Sequence, residues 1–340
     1  MISKELIGRV KENLGANGKG PYCLDLVIND FCNLGCFYCS GSSAHNYKNN
    51  WSKESLIKTL DSAVKLDVRE ISLTSLTGEP TVFKDIKFLM EEIKRRNFIG
   101  TLLTNGSKLD MEFAAFMHKI NWDILILSLD SFNPDIQYKL RPSLANDKYL
   151  EKIIEFLGHT FKYNPHLNIN LNMVVNNLNY NDIDDYFKKA ESYGIKNITL
   201  LKLVQMNNNY DRFNLSDNQL KEFKDKLKNI NTCVYFNSLE WLGENRINGC
   251  KPAPVILKKE NESGKNCYFH LYKVLIDCDG TVLKCNGDPQ KSRFNVNKDN
   301  LCNIYHNILL DHKDLLTEAP CWDACCSPIK ALNQEIGCYL

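Results

Sequence analysis

The chain has 340 residues, 44% of them hydrophobic and 24% charged, and its net charge is +1. These values are ordinary for a soluble globular protein of roughly two domains, and they exclude a strongly basic nucleic-acid-binding surface. No apolar run approaches the ~18 residues of a membrane-spanning helix, and the N-terminal segment lacks the apolar core of a signal peptide. We therefore expect a cytoplasmic protein without nucleic-acid or membrane partners.

Short β-rich runs alternate with amphipathic helical stretches from residue 22 onward. Strands are predicted at 23–28, 70–73, 100–103, 124–129, 167–174 and 197–203. Helices are predicted at 52–66, 83–96, 111–119, 147–160 and 182–192, followed by a bridging helix at 216–229. The six alternations predict a parallel sheet with helical crossovers, two units short of a closed eight-unit barrel. Active sites of such folds lie at the carboxyl ends of the strands.

The most specific motif follows the first strand, where Cys32, Cys36 and Cys39 are spaced C-x3-C-x2-C. Three thiolates can bind three irons of a four-iron cubane cluster and leave the fourth iron open to an exogenous molecule. Iron–sulfur clusters ligated by cysteine normally use four thiolates, and a structural zinc site also needs four ligands. The spacing therefore indicates a reaction site.

This motif resembles the signature of the radical S-adenosylmethionine (radical SAM) enzymes, in which an aromatic residue, here Tyr38, precedes the last cysteine. The resemblance implies a partial (β/α)6 TIM-type barrel and an open iron that chelates the amino and carboxylate groups of SAM. It also implies an external electron donor of flavodoxin or ferredoxin type. The electron cleaves the S–C5′ bond, and the resulting 5′-deoxyadenosyl radical removes a substrate hydrogen.

The turn after the second strand extends the resemblance. Gly78, Glu79 and Pro80 match part of the family's Gly-Gly-Glu-Pro motif, with Thr77 in place of the first glycine. Glycine at position 78 would let the backbone approach the ligand closely. The motif implies that Glu79 offers its carboxylate to the methionine ammonium group.

Residues at the ends of later strands are assigned by the same resemblance. Ser128 and Arg141 are expected to contact the methionine carboxylate or the ribose, and an arginine fork suits a carboxylate. Asp130 is either a ribose or substrate contact or the cap of the next turn, and Leu201 is expected to pack on adenine. Three asparagines are candidates for the barrel interior, with turn and strand-end roles as the alternative: Asn105, Asn170 and Asn172.

The tail is rich in cysteine, because nine of the fourteen cysteines lie in residues 250–340 and none lies between Cys39 and Cys233. Cys267, Gly280 and Cys285 form C-x12-G-x4-C, with Asp279-Gly280 as a hairpin turn between strands predicted at 272–277 and 281–284. This pattern resembles the auxiliary-cluster extensions of the family. They are called SPASM when they hold two clusters and twitch when they hold one.

The resemblance leaves the auxiliary ligands open between two assignments. One assignment places a first [4Fe-4S] cluster on Cys267, Cys278, Cys285 and Cys326 and a second on Cys302, Cys321, Cys325 and Cys338. The other has a single cluster on Cys267, Cys285, Cys321 and Cys325. Two cysteines outside these sets are expected to be core thiols: Cys23 and Cys233.

These observations predict an N-terminal extension at 1–20, a barrel at 21–230, a bridge at 231–249 and a small α+β auxiliary-cluster domain at 250–340. The predicted function is a radical SAM oxidoreductase acting on a small molecule (a sugar or alcohol) or on a peptide side chain. Asn286 stands where related peptide dehydrogenases carry a base, and Asp288 follows two residues later. The alternative is a non-catalytic iron–sulfur or zinc protein for electron transfer or redox sensing.

Overall fold

The computed structural model describes residues 4–15, 18–39, 51–75, 78–144, 148–203, 212–237, 241, 267–283, 285, 291–312, 333 and 336. Within these ranges the predicted alternation of strands and helices is confirmed. Seven strands are described between residues 23 and 237: β1 (Cys23–Val27), β2 (Glu70–Thr74), β3 (Ile99–Thr104), β4 (Ile124–Ser128), β5 (Asn168–Val175), β6 (Asn197–Lys202) and β7 (Tyr235–Asn237). The strands of the tail are β8 (Lys273–Ile276), β9 (Thr281–Leu283) and β10 (Lys291–Asn295).

The helices lie between the strands and at both ends of the chain. They are α1 (Lys4–Leu14), α2 (Lys53–Lys65), α3 (Ile86–Arg95), α4 (Met111–Lys119), α5 (Pro134–Leu140), α6 (Tyr149–Tyr163), α7 (Ile183–Ser192), α8 (Asp217–Asn229), α9 (Phe269–Tyr272) and α10 (Leu301–His312). Ser52 caps α2, because its side chain accepts a hydrogen bond from the Ser55 N–H at 3.0 Å. None of the described helices is long and apolar enough to cross a membrane.

All described strands belong to one sheet, in the order β10-β9-β8-β1-β2-β3-β4-β5-β6-β7. The strands from β1 to β7 pair in parallel, so their carboxyl ends meet at one edge. In β5, buried residues alternate with more exposed ones, so one face of the strand packs in the core and the other is partly open. This is the parallel core of a partial barrel.

The hairpin of the tail is part of the same sheet. Strand β8 pairs in parallel with β1, and β9 pairs antiparallel with β8 around the predicted Asp279-Gly280 turn. Gly280 has φ +82°, a left-handed conformation that glycine adopts at little cost. The hairpin of the tail therefore continues the barrel sheet.

Helix α1 links the N-terminal segment to the tail as well as to the barrel. Asn13 Nδ2 donates to the carbonyl oxygen of Leu271 at 2.7 Å, and Arg9 Nη1 donates to the carbonyl oxygens of Gly20 and Asp67, both at 2.9 Å. Val10 packs in a small second core with residues of α9 and with Ile336. The N-terminal extension of the sequence analysis is therefore a helix that packs on the tail.

Candidate active site

The cysteine loop lies at the carboxyl edge of the sheet, directly after β1. Hydrogen bonds join it to the last residue of α5 and to the segment that follows: Phe37 N–H donates to the Leu140 carbonyl at 3.2 Å, and Gly35 N–H donates to Ser143 Oγ at 3.0 Å. The Cys39 N–H donates to the Cys36 carbonyl at 3.2 Å and closes a tight turn. The loop therefore has a defined shape that is set by its own backbone and by the β4–α5 region.

The three thiols of this loop are half-buried. Cys32 Sγ accepts hydrogen bonds from the Leu34 N–H at 3.5 Å and from Asn105 Nδ2 at 3.7 Å. Burial raises the pKa of the Cys36 thiol to about 12, although the Arg141 guanidinium acts in the opposite direction. The positive charge of a bound metal reverses this effect and deprotonates a coordinating thiol.

This donor set fits an iron–sulfur cluster. Three soft sulfur ligands lie on one loop, and hydrogen bonds to Cys32 Sγ of the kind that support a thiolate are already in place. Among the described residues, no three His, Cys, Asp or Glu side chains form a group around a single metal ion.

A buried network connects the cysteine loop to β4. The Tyr38 hydroxyl donates to Asp130 Oδ2, and Arg141 Nε donates to the same oxygen at 2.9 Å and to the Tyr38 hydroxyl at 3.1 Å. Asp130 is 0% exposed and Arg141 is 3% exposed. Arg141 Nη1 donates to the Ser128 carbonyl at 2.8 Å. Asp130 therefore joins the loop to two other parts of the site.

The backbone around Asp130 is equally constrained. Asp130 Oδ1 accepts from the Val174 N–H at 3.0 Å, and its carbonyl accepts from Asn179 Nδ2 at 3.1 Å. Gln137 Oε1 accepts from the N–H groups of Asp130 and Ser131. The sequence leaves two roles open for Asp130, a ligand contact and a turn cap. The structure shows a third role, in which Asp130 is the fixed partner of Arg141.

Glu79 is held inside the protein rather than pointing into a cavity. Its side chain is 2% exposed. Oε1 accepts from the hydroxyls of Thr81 and Thr104 and from the Thr81 N–H, and Oε2 accepts from the Asn105 N–H at 2.7 Å. Burial raises the pKa of Glu79, and these hydrogen bonds oppose the rise. The carboxylate thus connects the turn after β2 to the end of β3. The motif, by contrast, implies that it faces the methionine ammonium group.

The glycine and proline of the same motif shape the turn. A Cβ at Gly78 would lie 2.3 Å from Asn29 Oδ1 and 2.5 Å from the Asn29 carbonyl oxygen, so only glycine fits there. The close approach predicted for Gly78 is therefore an approach to the end of β1. Pro80 begins a 3-10 helix, Pro80–Val82, which Glu79 caps. Thr77 lies outside the described residues.

The remaining barrel candidates lie on the partly open face of neighbouring strands. Ser128 of β4 pairs with Asn172 of β5, and Val174 of β5 pairs with Leu201 of β6. Because Val174 also donates to Asp130, Leu201 lies one strand away from the buried network. Asn170 Oδ1 is buried without a hydrogen-bond partner in the described structure.

Some contributors to this site were not predicted. Asn29 Nδ2 donates to the Glu79 carbonyl at 2.8 Å, Thr104 donates to the Glu79 carboxylate, and Gln137 caps the backbone after β4. Asn29 and Thr104 lie at the end of a strand or directly after it, at the edge where parallel sheets place their sites, which was the available signal. Gln137 lies inside α5, where no such signal exists.

The hairpin separates the tail cysteines that the sequence analysis grouped. Cys267 and Cys285 both pack against the second core, at the open end of the β8–β9 hairpin. Cys278 lies in the turn at the other end and is 5% exposed in the main core. Cys278 therefore lies apart from the two cysteines that the first assignment groups with it, because the chain reverses at Gly280.

Two further cysteines lie elsewhere in the fold. Cys302, which is expected to share a second cluster with Cys321, Cys325 and Cys338, lies on α10, and its thiol lies 3.9 Å from the Ser62 carbonyl oxygen of α2. Cys23 is buried as predicted, but Cys233 is exposed, so its assignment to the core is wrong. The other residues assigned to the tail lie outside the described residues: Cys321, Cys325, Cys326, Cys338, Asn286 and Asp288.

Comparison with known proteins finds matches mainly within the barrel. Residues 26–190 match the family described as the radical SAM superfamily. The chain is 29% identical to the probable GTP 3′,8-cyclase of Thermococcus kodakarensis, covering 54% of this chain and 56% of that protein. It is 27% identical to the S-adenosylmethionine-dependent nucleotide dehydratase of Lacinutrix mariniflava, covering 60% and 44%. The chain spans about half the length of these curated relatives.

Solved structures resemble more of the chain. Streptococcus suis SuiB bound to S-adenosylmethionine superposes with a TM-score of 0.64 at 15% identity, covering 92% of this chain and 70% of that one. Native anSMEcpe with bound AdoMet gives 0.60 at 18% identity, covering 87% and 83%. At such low identity this likeness shows the fold alone, and it extends beyond the barrel into the tail.

Proposed function

Because the chain belongs to the radical SAM superfamily and is an enzyme of that class, we propose that Cys32, Cys36 and Cys39 bind the [4Fe-4S] cluster that the family uses with SAM. When bound, this cluster supplies the electron for reductive cleavage of SAM to a 5′-deoxyadenosyl radical, which removes a substrate hydrogen. The observation that carries the proposal is the half-buried triad after β1, whose Cys32 sulfur already accepts two hydrogen bonds.

The buried network supports a role in holding SAM. Arg141 Nε donates hydrogen bonds to the Asp130 carboxylate and the Tyr38 hydroxyl, and Nη1 donates to the Ser128 carbonyl. Its Nη2 donates to none of the described residues. A guanidinium edge that is fixed in this way suits the methionine carboxylate. Gly78, Glu79 and Pro80 are the proposed SAM contacts of the turn after β2, and Leu201 is the proposed adenine contact.

We propose one auxiliary cluster in the tail, with Cys267 and Cys285 as two of its ligands. Both cysteines pack against the same small core, beside α9. The cluster would take an electron from the substrate radical or orient the substrate, which makes the enzyme an oxidoreductase. The proposed division is a barrel at 21–230 and an auxiliary domain at 250–340 that is joined to it through β8.

The proposed substrate is a polar small molecule, with a peptide side chain as the second candidate. Two relatives carry names that point to nucleotide chemistry, and the Streptococcus suis neighbour has been solved with a precursor peptide. The partly open barrel face carries Ser128, Asn172 and Thr199 in one row, and these groups suit hydrogen bonds to hydroxyl or amide groups. An external one-electron donor of flavodoxin or ferredoxin type completes the set of proposed partners.

The test is production of 5′-deoxyadenosine from SAM by the reconstituted, dithionite-reduced protein under anaerobic conditions. Replacing Cys32, Cys36 and Cys39 together by alanine should abolish it, whereas Cys233→Ala, which changes an exposed thiol, should not. Equal rates for wild type and the triple variant would refute the proposal. Metal analysis addresses the alternative of a non-catalytic protein: about eight irons per chain fit two clusters, whereas zinc without sulfide supports the alternative.

A further inference from the structure

The Asn105 side chain contacts a sulfur of the cysteine triad from a different strand. Its Nδ2 lies 3.7 Å from Cys32 Sγ and 3.2 Å from Asn33 Oδ1. Its Oδ1 accepts the Ser107 N–H at 2.8 Å. A residue at the end of β3 therefore contacts the loop that follows β1, with β2 between them in the sheet.

The orientation of this carboxamide follows from its partners. Only an oxygen can accept the Ser107 N–H, so the NH2 group must face Asn33 Oδ1 and the Cys32 sulfur. Both Nδ2 hydrogens then have an acceptor. The donor to sulfur is thus identified by chemistry as well as by position.

The backbone of Asn105 is fixed independently of its side chain. Its N–H donates to Glu79 Oε2 at 2.7 Å, and its carbonyl accepts from the Tyr149 hydroxyl at 2.8 Å. Asn105 is 9% exposed, so water competes little for the amide. These bonds hold the donor in place before any change of charge occurs at the sulfur, so that its orientation costs little when the charge arrives.

We propose that Asn105 raises the reduction potential of the cluster bound by Cys32, Cys36 and Cys39, by donating a hydrogen bond to Cys32 Sγ. The inference rests on the proposed function for the presence of that cluster. A one-electron reduction makes the cluster and its thiolates more negative, and a hydrogen bond to a more negative acceptor is stronger. Hydrogen bonds to the sulfurs are among the factors that set cluster potentials. Asn105 acts through Cys32 and is therefore a positioning residue.

The test is an anaerobic redox titration of the reduced-cluster EPR signal that is absent from a Cys32→Ala variant. Asn105→Ala removes the donor, and Asn105→Asp removes it while keeping an oxygen for the Ser107 N–H. Both variants should lower the equilibrium constant for reduction roughly three- to tenfold, which is ~30–59 mV for a one-electron couple. The matched control is Asn229→Ala, which removes an exposed carboxamide at the end of α8 and should leave the potential unchanged.

Two results would overturn the inference. One is an unchanged potential in both Asn105 variants at full iron content. The other is loss of the cluster iron in both variants, which would make Asn105 a residue needed for folding of the loop and not for tuning. The titration needs no SAM, so a wild-type protein that holds the cluster but does not cleave SAM would refute the proposed function and leave this comparison intact.

Discussion

Replacing Lys273 by methionine tests whether charge holds the tail hairpin to the barrel. Lys273 Nζ lies 3.0 Å from Asp25 Oδ2, across the parallel pair of β8 and β1. Asp25 is 3% exposed, and its other carboxylate oxygen lies 3.6 Å from Cys23 Sγ. Burial acts against the charge of Lys273, but the nearby Asp25 and Cys23 raise its pKa, so the Lys273 ammonium group stays charged at neutral pH.

The expected loss follows from the burial of Asp25. Methionine keeps most of the apolar stem of lysine, so the substitution removes mainly the charge and leaves a buried carboxylate without its cation. Removing one partner of a buried ion pair costs about 3–5 kcal/mol. The exposed pair of Lys188 and Asp185, with side chains 75% and 87% exposed, is the matched control, and Lys188→Met should cost less than about 1 kcal/mol.

The assay is urea unfolding of the reduced, metal-free protein, followed by circular dichroism. A second variant, Lys273→Met with Asp25→Asn, replaces the ion pair by neutral side chains and should recover most of the loss, which gives the coupling energy in a double-mutant cycle. A loss for Lys273→Met no larger than that for Lys188→Met would refute the argument. So would a double variant no more stable than Lys273→Met alone.

Three other substitutions probe the site and the barrel. Tyr38→Phe removes a hydroxyl that is hydrogen-bonded to a buried ion pair, and it should lower the free energy of unfolding by about 1–3 kcal/mol and reduce iron retention. Urea unfolding and iron analysis measure these two effects, and no change in either would contradict this role. Gly78→Ala places a Cβ 2.3 Å from Asn29 Oδ1 and should weaken SAM binding in equilibrium dialysis, whereas Gly8→Ala, in open space on α1, should not. Burial raises the pKa of Glu70, so the native state keeps the Glu70 carboxyl protonated to higher pH than the unfolded state does. Wild type should therefore lose stability relative to Glu70→Gln as pH rises above ~4.3. A pH-independent difference in urea midpoints would contradict that sign.

The alternation of the barrel is visible in the sequence because each strand and helix repeats a local pattern of apolar residues. Short helices carry less of this signal. Helix α5 has seven residues, and only Asn133 as its cap and Pro134 at its first position mark it. The pairing of β8 with β1 joins Lys273 to Cys23 across 250 residues of chain, and no local pattern encodes such a contact.

The cysteine triad was predictable because its spacing is specific, but the partners of the polar residues around it were not. Glu79 and Arg141 read as ligand contacts in the sequence, yet both have internal partners that come from other strands and loops. The separation of Cys278 from Cys267 and Cys285 is also not visible in chain order, because it arises from the hairpin that reverses at Gly280.

The buried charges at the carboxyl edge explain how separate loops can present one site. Asp130 binds the cysteine loop through Tyr38 and the β4 backbone through Arg141, while Glu79 connects β2 to the end of β3. Burying such charges opposes folding unless each finds its partners, as these do. The proposed reaction would need its groups held within about 0.5 Å of productive geometry, and sites on loops are less precise than sites on helices or strands. These buried partners therefore supply the rigidity that the loops lack, and their loss should disturb the proposed cluster and SAM site before it disturbs the core.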